Sequence, residues 1–278
     1  MELNFADFAD NKPHLRDRMD ERSKRIVVEN LDAFQNKSVL DIAANNGRWT
    51  YAAALAGASH VTSIEGRAER VADAKDFLTK HGCIDKVSLN TGDMYDFLFE
   101  NKGKNFNTVL CLGVYYHVMD HSLFLKMMTQ LDPQTIIIDS GFVRSFRSQV
   151  HVQYEDPSLH LNALANYEGQ KYEPVGFISL GLMIQLAWNL GYSCRPVVWD
   201  PKDVGNKNAV HDYMIGKRYT LRLEKMDGHY DADWKTHWQK ALVALDPSFE
   251  NLFDKETHDP ASDERSRYPQ RHFPFTFL

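Results

Sequence analysis

The sequence predicts an α/β protein: a doubly wound, mostly parallel sheet of seven strands, with an insertion after the fifth strand that acts as a cap. Three observations carry this expectation. From residue 37 to residue 139, apolar segments of strand length alternate with segments of helical period. Two of those strands, 106–112 and 135–139, are close to unbroken apolar runs, as expected of strands covered on both faces. The first strand runs into a turn of small residues and an alanine-rich helix, VLDIAANNGRWTYAAALAG, which is how a right-handed parallel crossover begins.

Residues 22–34 read as the first helix, with Ile26, Val27, Leu31 and Phe34 on one stripe. A strand at 37–42 precedes a helix at 47–56, and a strand at 60–64 precedes a helix at 68–80. The third strand, 86–90, ends in the turn TGDMYD. The fourth, 106–112, leads to a helix at 119–131, and the fifth is 135–139. Residues 141–176 then lose any clear period and carry Pro157, Gly169 and Pro174. A long irregular stretch inside a folded domain is commonly a functional cap. A helix at 178–190 stops at Gly191, where glycine suits a helix C-terminus. Segments 194–199 and 219–223 complete the sheet as a strand pair joined by a long loop. The chain thus divides into an N-terminal helical segment, 1–35, a sheet-bearing domain, 36–226, and a C-terminal extension, 227–278. The extension holds an amphipathic helix at 233–245 and an extended tail ending HFPFTFL.

The 278 residues are 43% hydrophobic and 25% charged, ample for a large core. A net charge of −6 argues against a broad nucleic-acid surface, which needs clustered Lys and Arg facing phosphates. No apolar run approaches the ~20 residues of a membrane-spanning helix. The acidic start, MELNFADFADNK, lacks a signal-peptide core. Cys83, Cys111 and Cys194 stand far apart with no CxxC pair, so neither a disulfide framework nor a structural zinc site is expected, and a reducing cytoplasm is the default setting.

The turn after the first strand sets the chemistry. A helix N-terminus behind a parallel strand offers free N–H groups and partial positive charge, and a ligand can approach only past small residues. A dinucleotide G-x-G-x-x-G pattern would put Ala43, Asn45 and Arg48 at its glycine positions, and bulky Arg48 obstructs the packing needed at the third. The spacing acid-x-small-x-small-x-Gly fits instead, as Asp41, Ala43, Asn45 and Gly47. Asn45 takes left-handed backbone angles more readily than most residues. Further on, Glu65 ends the strand HVTSIE and is followed by Gly66 and Arg67. A carboxylate about 20 residues after such a turn accepts hydrogen bonds from both ribose hydroxyls. The plainer role for Glu65 is a helix cap.

In this order and spacing the motifs resemble the class I S-adenosylmethionine (SAM)-dependent methyltransferases, over about residues 20–140. The wording DIAANNGRW, AGASHVTSIEGR and GVYYHVMDH resembles small-molecule O-methyltransferases, including a sugar-modifying branch. The resemblance implies a Rossmann-like methyltransferase fold in which the turn holds the methionine part of SAM and Asp41 helps orient it. It implies that Asp93, behind Gly92, accepts from the adenine amino group while Met94 packs on the ring. It places Leu112, Gly113, Tyr115, Tyr116 and His117 beside the transferred methyl. Three glycines are usual in the family's turn, where this chain keeps one. Trp49 either covers the methionine tail or packs between helix and sheet.

SAM is already activated, so a methyltransferase mainly aligns the acceptor with the methyl and shields charge. A neutral hydroxyl needs in addition a general base, or a metal ion that lowers its pKa. His117 is the leading base, because imidazole titrates near neutrality. Tyr116 beside it and Asp139 at the end of the fifth strand are the other catalytic candidates. The plainer reading makes His117 a capping or core histidine. A divalent metal such as magnesium, held by Asp139 and a histidine nitrogen or by His117 with His121, is the other route to activation. In the insertion, Tyr154, Glu155, His160, Asn162, Asn166, Tyr167 and Tyr172 offer aromatics and polar groups to a polar or sugar-like acceptor. Arg144 and Arg147 offer charge to an anionic one. The same insertion is a candidate homodimer contact. The expected partner is a small-molecule acceptor, with no nucleic acid and no membrane. Two other readings stay open: a nicotinamide-dependent oxidoreductase, against which Arg48 counts, and a non-catalytic SAM-binding regulatory or partner protein.

Overall fold

The computed structural model describes residues 13–159, 161–227, 234–245 and 247–250. Helix α1 (Pro13–Ile26) opens on a proline, whose fixed φ suits the first helical position. It begins and ends earlier than its apolar spacing predicts. Its buried face includes Arg22, Ser23 and Arg25 beside Met19 and Ile26, so polar residues occupy positions where an apolar stripe is sought. A separate 3₁₀ segment follows, Val28–Ala33. The backbone breaks at Asn30 (φ −125°, ψ 32°), whose amide donates to the Arg25 and Ile26 carbonyls at 2.8 and 3.2 Å.

Strands β1 (Ser38–Ile42), β2 (His60–Glu65), β3 (Val87–Thr91), β4 (Thr108–Leu112) and β5 (Thr135–Gly141) pair in parallel. With β8 (Tyr192–Val197) and β9 (Arg218–Lys225) they form a seven-stranded sheet in the order β3-β2-β1-β4-β5-β9-β8. Strand β9 runs antiparallel to both of its neighbours. Alternate residues of the strands feed two cores. Leu40, Ile42, Cys111, Ile136 and Ile138 pack with α4 (Met94–Glu100), α5 (His121–Thr129) and α6 (Leu180–Asn189). Val39, Val61, Leu110 and Ile137 pack on the opposite side with α1, α2 (Arg48–Leu55) and α3 (Ala68–Lys80). The sheet is therefore doubly wound and mostly parallel, as the sequence predicts. Its strand order reverses between β1 and β4, and ligands of such sheets bind outside the strand C-termini at that point.

The insertion departs from expectation. Within it β6 (Val150–Glu155) pairs antiparallel with β7 (Glu173–Ile178), making a two-stranded sheet of its own. The sequence hides this hairpin because β6 is exposed along nearly its whole length, leaving no inside–outside alternation. Strand β7 carries Pro174 and Gly176, which normally demote a strand. Gly176 has a packing reason, since a Cβ there would lie 2.6 Å from Cε1 of His121. The loop between β8 and β9 holds a short helix, α7 (His211–Met214), that periodicity did not reveal. Helix α8 (Trp234–Leu245) packs beside α6 and β8, with Leu242 in the core. The HFPFTFL tail and His160 lie outside the described residues. Among those described, no helix is long and apolar enough to cross a membrane, and the three cysteines are buried and form no disulfide.

Candidate active site

Beyond Ile42 the backbone turns left-handed at alternate positions: Ala43 (φ 54°), Asn45 (φ 51°) and Gly47 (φ 77°). These are the three small positions of the spacing that begins at Asp41. An ordinary L-residue pays about 1–2 kcal/mol for such angles, a cost Ala43 carries and Asn45 reduces. Only at Gly47 does packing also forbid a side chain. A Cβ there would sit 2.8 Å from Ala74 Cβ on α3, which explains why the single glycine is kept at this position.

The turn opens onto a cleft of about 370 Å³ along the C-terminal ends of β1 to β4, within the size range of small-molecule sites. Ala43 and Asn45 form one wall, and Glu65, Gly66 and Arg67 continue it. Glu65 is 6% exposed. Its carboxylate accepts the Asn45 N–H at 2.8 Å and the Arg67 N–H at 2.9 Å, tying the end of β2 to the turn. Gly92, Asp93 and Met94 line the far end. Asp93 caps α4, its Oδ1 accepting from Tyr95 N at 2.7 Å and Asp96 N at 3.1 Å. Gly113, Val114 and His117 bound the cleft behind β4. The insertion covers it with Leu161, Asn162, Ala163, Leu164, Asn166 and Glu173. The Arg67 guanidinium donates to the Asn162 carbonyl at 2.9 Å and so fastens this cover.

His117 ends a 3₁₀ turn, Tyr115–His117. Its Nδ1 lies 2.7 Å from Glu155 Oε2 at the end of β6. Burial pushes the imidazole below its ordinary pKa, and the Glu155 carboxylate pulls the other way.

Several residues expected at the ligand lie beneath the wall instead. Asp41 is 1% exposed and accepts from Thr50 Oγ1 at 2.7 Å, tying α2 to β1 rather than reaching the cleft. Burial pushes its carboxyl up to about 7. Trp49 is a core residue, its ring 4.9 Å from the Arg22 guanidinium carbon, and does not cover the cleft. Leu112 is buried in the same core. Tyr115 is buried as well, its hydroxyl donating to the His121 carbonyl at 3.0 Å. Tyr116 lies between two rings, stacked on Phe177 of β7 at 5.1 Å and tilted against His117 at 4.1 Å.

Asp139 is the largest correction. It is fully buried and enclosed by four side chains. Arg22 donates to it at 2.8 Å, Arg218 at 2.6 Å, and the Tyr213 and Thr220 hydroxyls each at 2.7 Å. Both carboxylate oxygens are taken, so neither a cation nor an acceptor meets this group. His121 likewise turns away, donating from Nε2 to the Gly176 carbonyl at 2.8 Å, so it forms no metal pair with His117. Among the described residues no group of three His, Cys, Asp or Glu side chains is gathered to hold a metal. Of the insertion candidates, Asn162 and Asn166 line the cleft, whereas Tyr154, Tyr167 and Tyr172 are exposed. Arg144 donates to Ser248 Oγ at 2.9 Å and Arg147 lies over the Phe146 ring, both away from the cleft. Sequence reasoning missed Arg22 and Arg218 as the partners of Asp139, because no local pattern joins residues so far apart.

A doubly wound sheet with a left-handed turn after β1 and a carboxylate at the end of β2 defines a nucleoside-binding α/β protein. More particularly, the family model described as Methyltransferase domain matches residues 33–171, half of the chain, and the chain belongs to this family. The N-terminal domain of EvdMO1 with S-adenosylhomocysteine (SAH) bound is similar in fold, at 18% identity over 73% of this chain and 80% of that one, with a TM-score of 0.56. The same domain in the presence of SAH and D-fucose gives 19% identity over 76% and 83%, with a TM-score of 0.57. An S-adenosylmethionine-dependent methyltransferase from Clostridium acetobutylicum ATCC 824 gives 14% identity over 80% and 98%, with a TM-score of 0.50. No curated protein sequence matches the chain significantly. The protein is a class I SAM-dependent methyltransferase, and SAM is its cofactor.

Replacing Glu65 with alanine removes a charged acceptor from the cleft. The expected result is a loss of SAH affinity worth about 1.5–3 kcal/mol, the usual value of hydrogen bonds to a charged group. Calorimetric titration checks it, and unaltered affinity would reassign this carboxylate to holding the turn alone.

Proposed function

We propose that this methyltransferase acts on a hydroxyl oxygen of a small polar acceptor, with His117 as general base. The observation that carries the reading is a histidine on the cofactor cleft whose Nδ1 is engaged by a carboxylate, leaving Nε2 as its acceptor nitrogen. The residues fit the cofactor. Glu65 suits the ribose hydroxyls, Asp93 and Met94 the adenine, and the turn from Ala43 to Gly47 the amino-acid end. On that turn Asn46 Oδ1 is buried without a hydrogen-bond partner, an acceptor suited to an ammonium group.

When bound, SAM would supply a methyl group on a sulfonium sulfur, and that sulfur would leave as the neutral thioether of SAH when the acceptor oxygen takes the methyl. His117 Nε2 takes the proton of the acceptor hydroxyl as its oxygen attacks, and the resulting imidazolium is held beside the Glu155 carboxylate. Leu161 and Leu164 give the cleft an apolar rim. Asn162, Asn166 and Glu173 supply polar contacts for a hydroxyl-rich, sugar-like acceptor. Study of the fold-related EvdMO1 domain in the presence of D-fucose is in keeping with that class. The test is transfer of isotopic label from methyl-labelled SAM to a panel of free sugars, phenols and amines. Label in an ether product supports the proposal. Label on nitrogen overturns the oxygen target, and SAH binding without transfer to any acceptor favours the regulatory alternative.

A further inference from the structure

Glu155 is the last residue of β6 and pairs in register with Glu173 of β7. Its Oε2 meets two groups at once, His117 Nδ1 at 2.7 Å and the backbone N–H of Ala163 at 2.9 Å. An oxygen that already accepts an amide proton makes Nδ1 of His117 the donor in the other bond. Both side chains are shielded, His117 at 12% and Glu155 at 17% exposure. Ala163 belongs to the part of the insertion that covers the cleft. One carboxylate oxygen therefore joins the histidine behind β4, the end of the hairpin and the cover over the ligand.

We propose that Glu155 is a positioning residue for His117: it locks the imidazole proton on Nδ1, leaves Nε2 basic at the cleft, and does so only while the cap is seated. The inference rests on reading His117 as the base, and its consequence is that the base is assembled by cap closure. The charges that act on the imidazole come from separate elements. Glu155 on β6 favours the charged ring, whereas Arg218 on β9 and Arg67 after β2 disfavour it, as burial does. Asp120 and Glu173 share the cleft wall. Without Glu155, every remaining influence just named as acting on His117 lowers its proton affinity.

The test is NMR of the full-length protein carrying ¹⁵N-labelled histidine, with the His117 signals identified by their absence in His117→Ala. In the wild type the proton should reside on Nδ1 with Nε2 bare. Glu155→Gln keeps an acceptor oxygen, so the tautomer should persist while the ring titrates lower by about one unit or more, as expected when an adjacent opposite charge is lost. Glu155→Ala should lose the tautomer preference as well. Calorimetric SAH affinity should stay near wild type in the Gln variant, and this near-isosteric change decides the matter even if the alanine variant loosens the cap. An unchanged tautomer and titration midpoint in the Gln variant and an unchanged tautomer in the Ala variant would overturn the proposal. Failure of the wild type to bind SAH would instead remove the cofactor reading, whatever the histidine spectra show.

Discussion

His117→Ala should lower kcat by about 10²–10⁴-fold, the range for loss of a general base, while leaving SAH affinity near that of the wild type. The split follows from placement. His117 stands behind β4, whereas the groups suited to the nucleoside, Glu65 and Asp93, stand at the ends of β2 and β3. Removing the imidazole therefore takes away the proton acceptor without touching the ribose or adenine contacts. Steady-state kinetics beside calorimetry reads both quantities. Near-normal turnover would return His117 to a structural role, as the partner that anchors Glu155 and the cap. A parallel fall in SAH affinity would show that the histidine shapes the cofactor site instead.

The largest stability effect should follow Asp139→Asn. The substitution keeps the size of the side chain but strips a buried anion from between Arg22 and Arg218. Breaking a buried pair from one side typically costs about 3–5 kcal/mol, because the remaining charge is stranded out of water. Here two guanidinium groups lose their counter-ion. Urea unfolding of the two proteins measures the difference, and a loss below about 1 kcal/mol would mean the cluster contributes no more than an exposed ion pair. The acid side of the stability curve offers a second readout. Burial alone would raise the Asp139 carboxyl, but Arg218 and Arg22, with the Tyr213 and Thr220 hydroxyls, hold it well below the usual carboxylate range. A group depressed on folding stabilises the native state above its unfolded pKa, about 3.9 for aspartate, and that contribution disappears as pH falls through the lower folded value. The wild type should therefore lose this stabilisation on acidification below about pH 4, and the asparagine variant, lacking it already, should show a shallower decline.

The central sheet was legible because each parallel strand is an apolar run followed by a helix of clear period. The turn at the cleft was legible for a related reason. A turn that must approach a ligand restricts residue size at fixed spacing, and Ala43, Asn45 and Gly47 turned out to share the left-handed conformation that this spacing demands. Glu65, Asp93 and Met94 line the cleft because their positions follow from strand ends. What failed was anything set by tertiary charge. In the sequence Asp139 ends the segment 135–139 like a catalytic residue, and only the distant Arg22 and Arg218 reveal it as the centre of a buried cluster. Helix α1 was misplaced for the same reason, since Arg22 and Arg25 on its buried face read as solvent residues until their partners are known. The cap hairpin was hidden by exposure, with too few buried side chains to write a period into the sequence. Glu155 was named only as a polar liner, because its bond to His117 depends on how that hairpin folds back.

The Asp139 cluster also bears on how the chain is made. Its cations come from α1 and β9, near opposite ends of the described chain, and Arg18 reaches Asp212 across a similar separation. A ribosome releases α1 well before β9. Until β9 emerges, the anion in the middle of the sheet lacks its Arg218 partner and β5 lacks a neighbour on one side. Closing such sequence-distant contacts is slow. The docking of β9 therefore completes both the charge cluster and the cover over β5, and the interval before it is when an exposed β5 edge most needs protection from other chains.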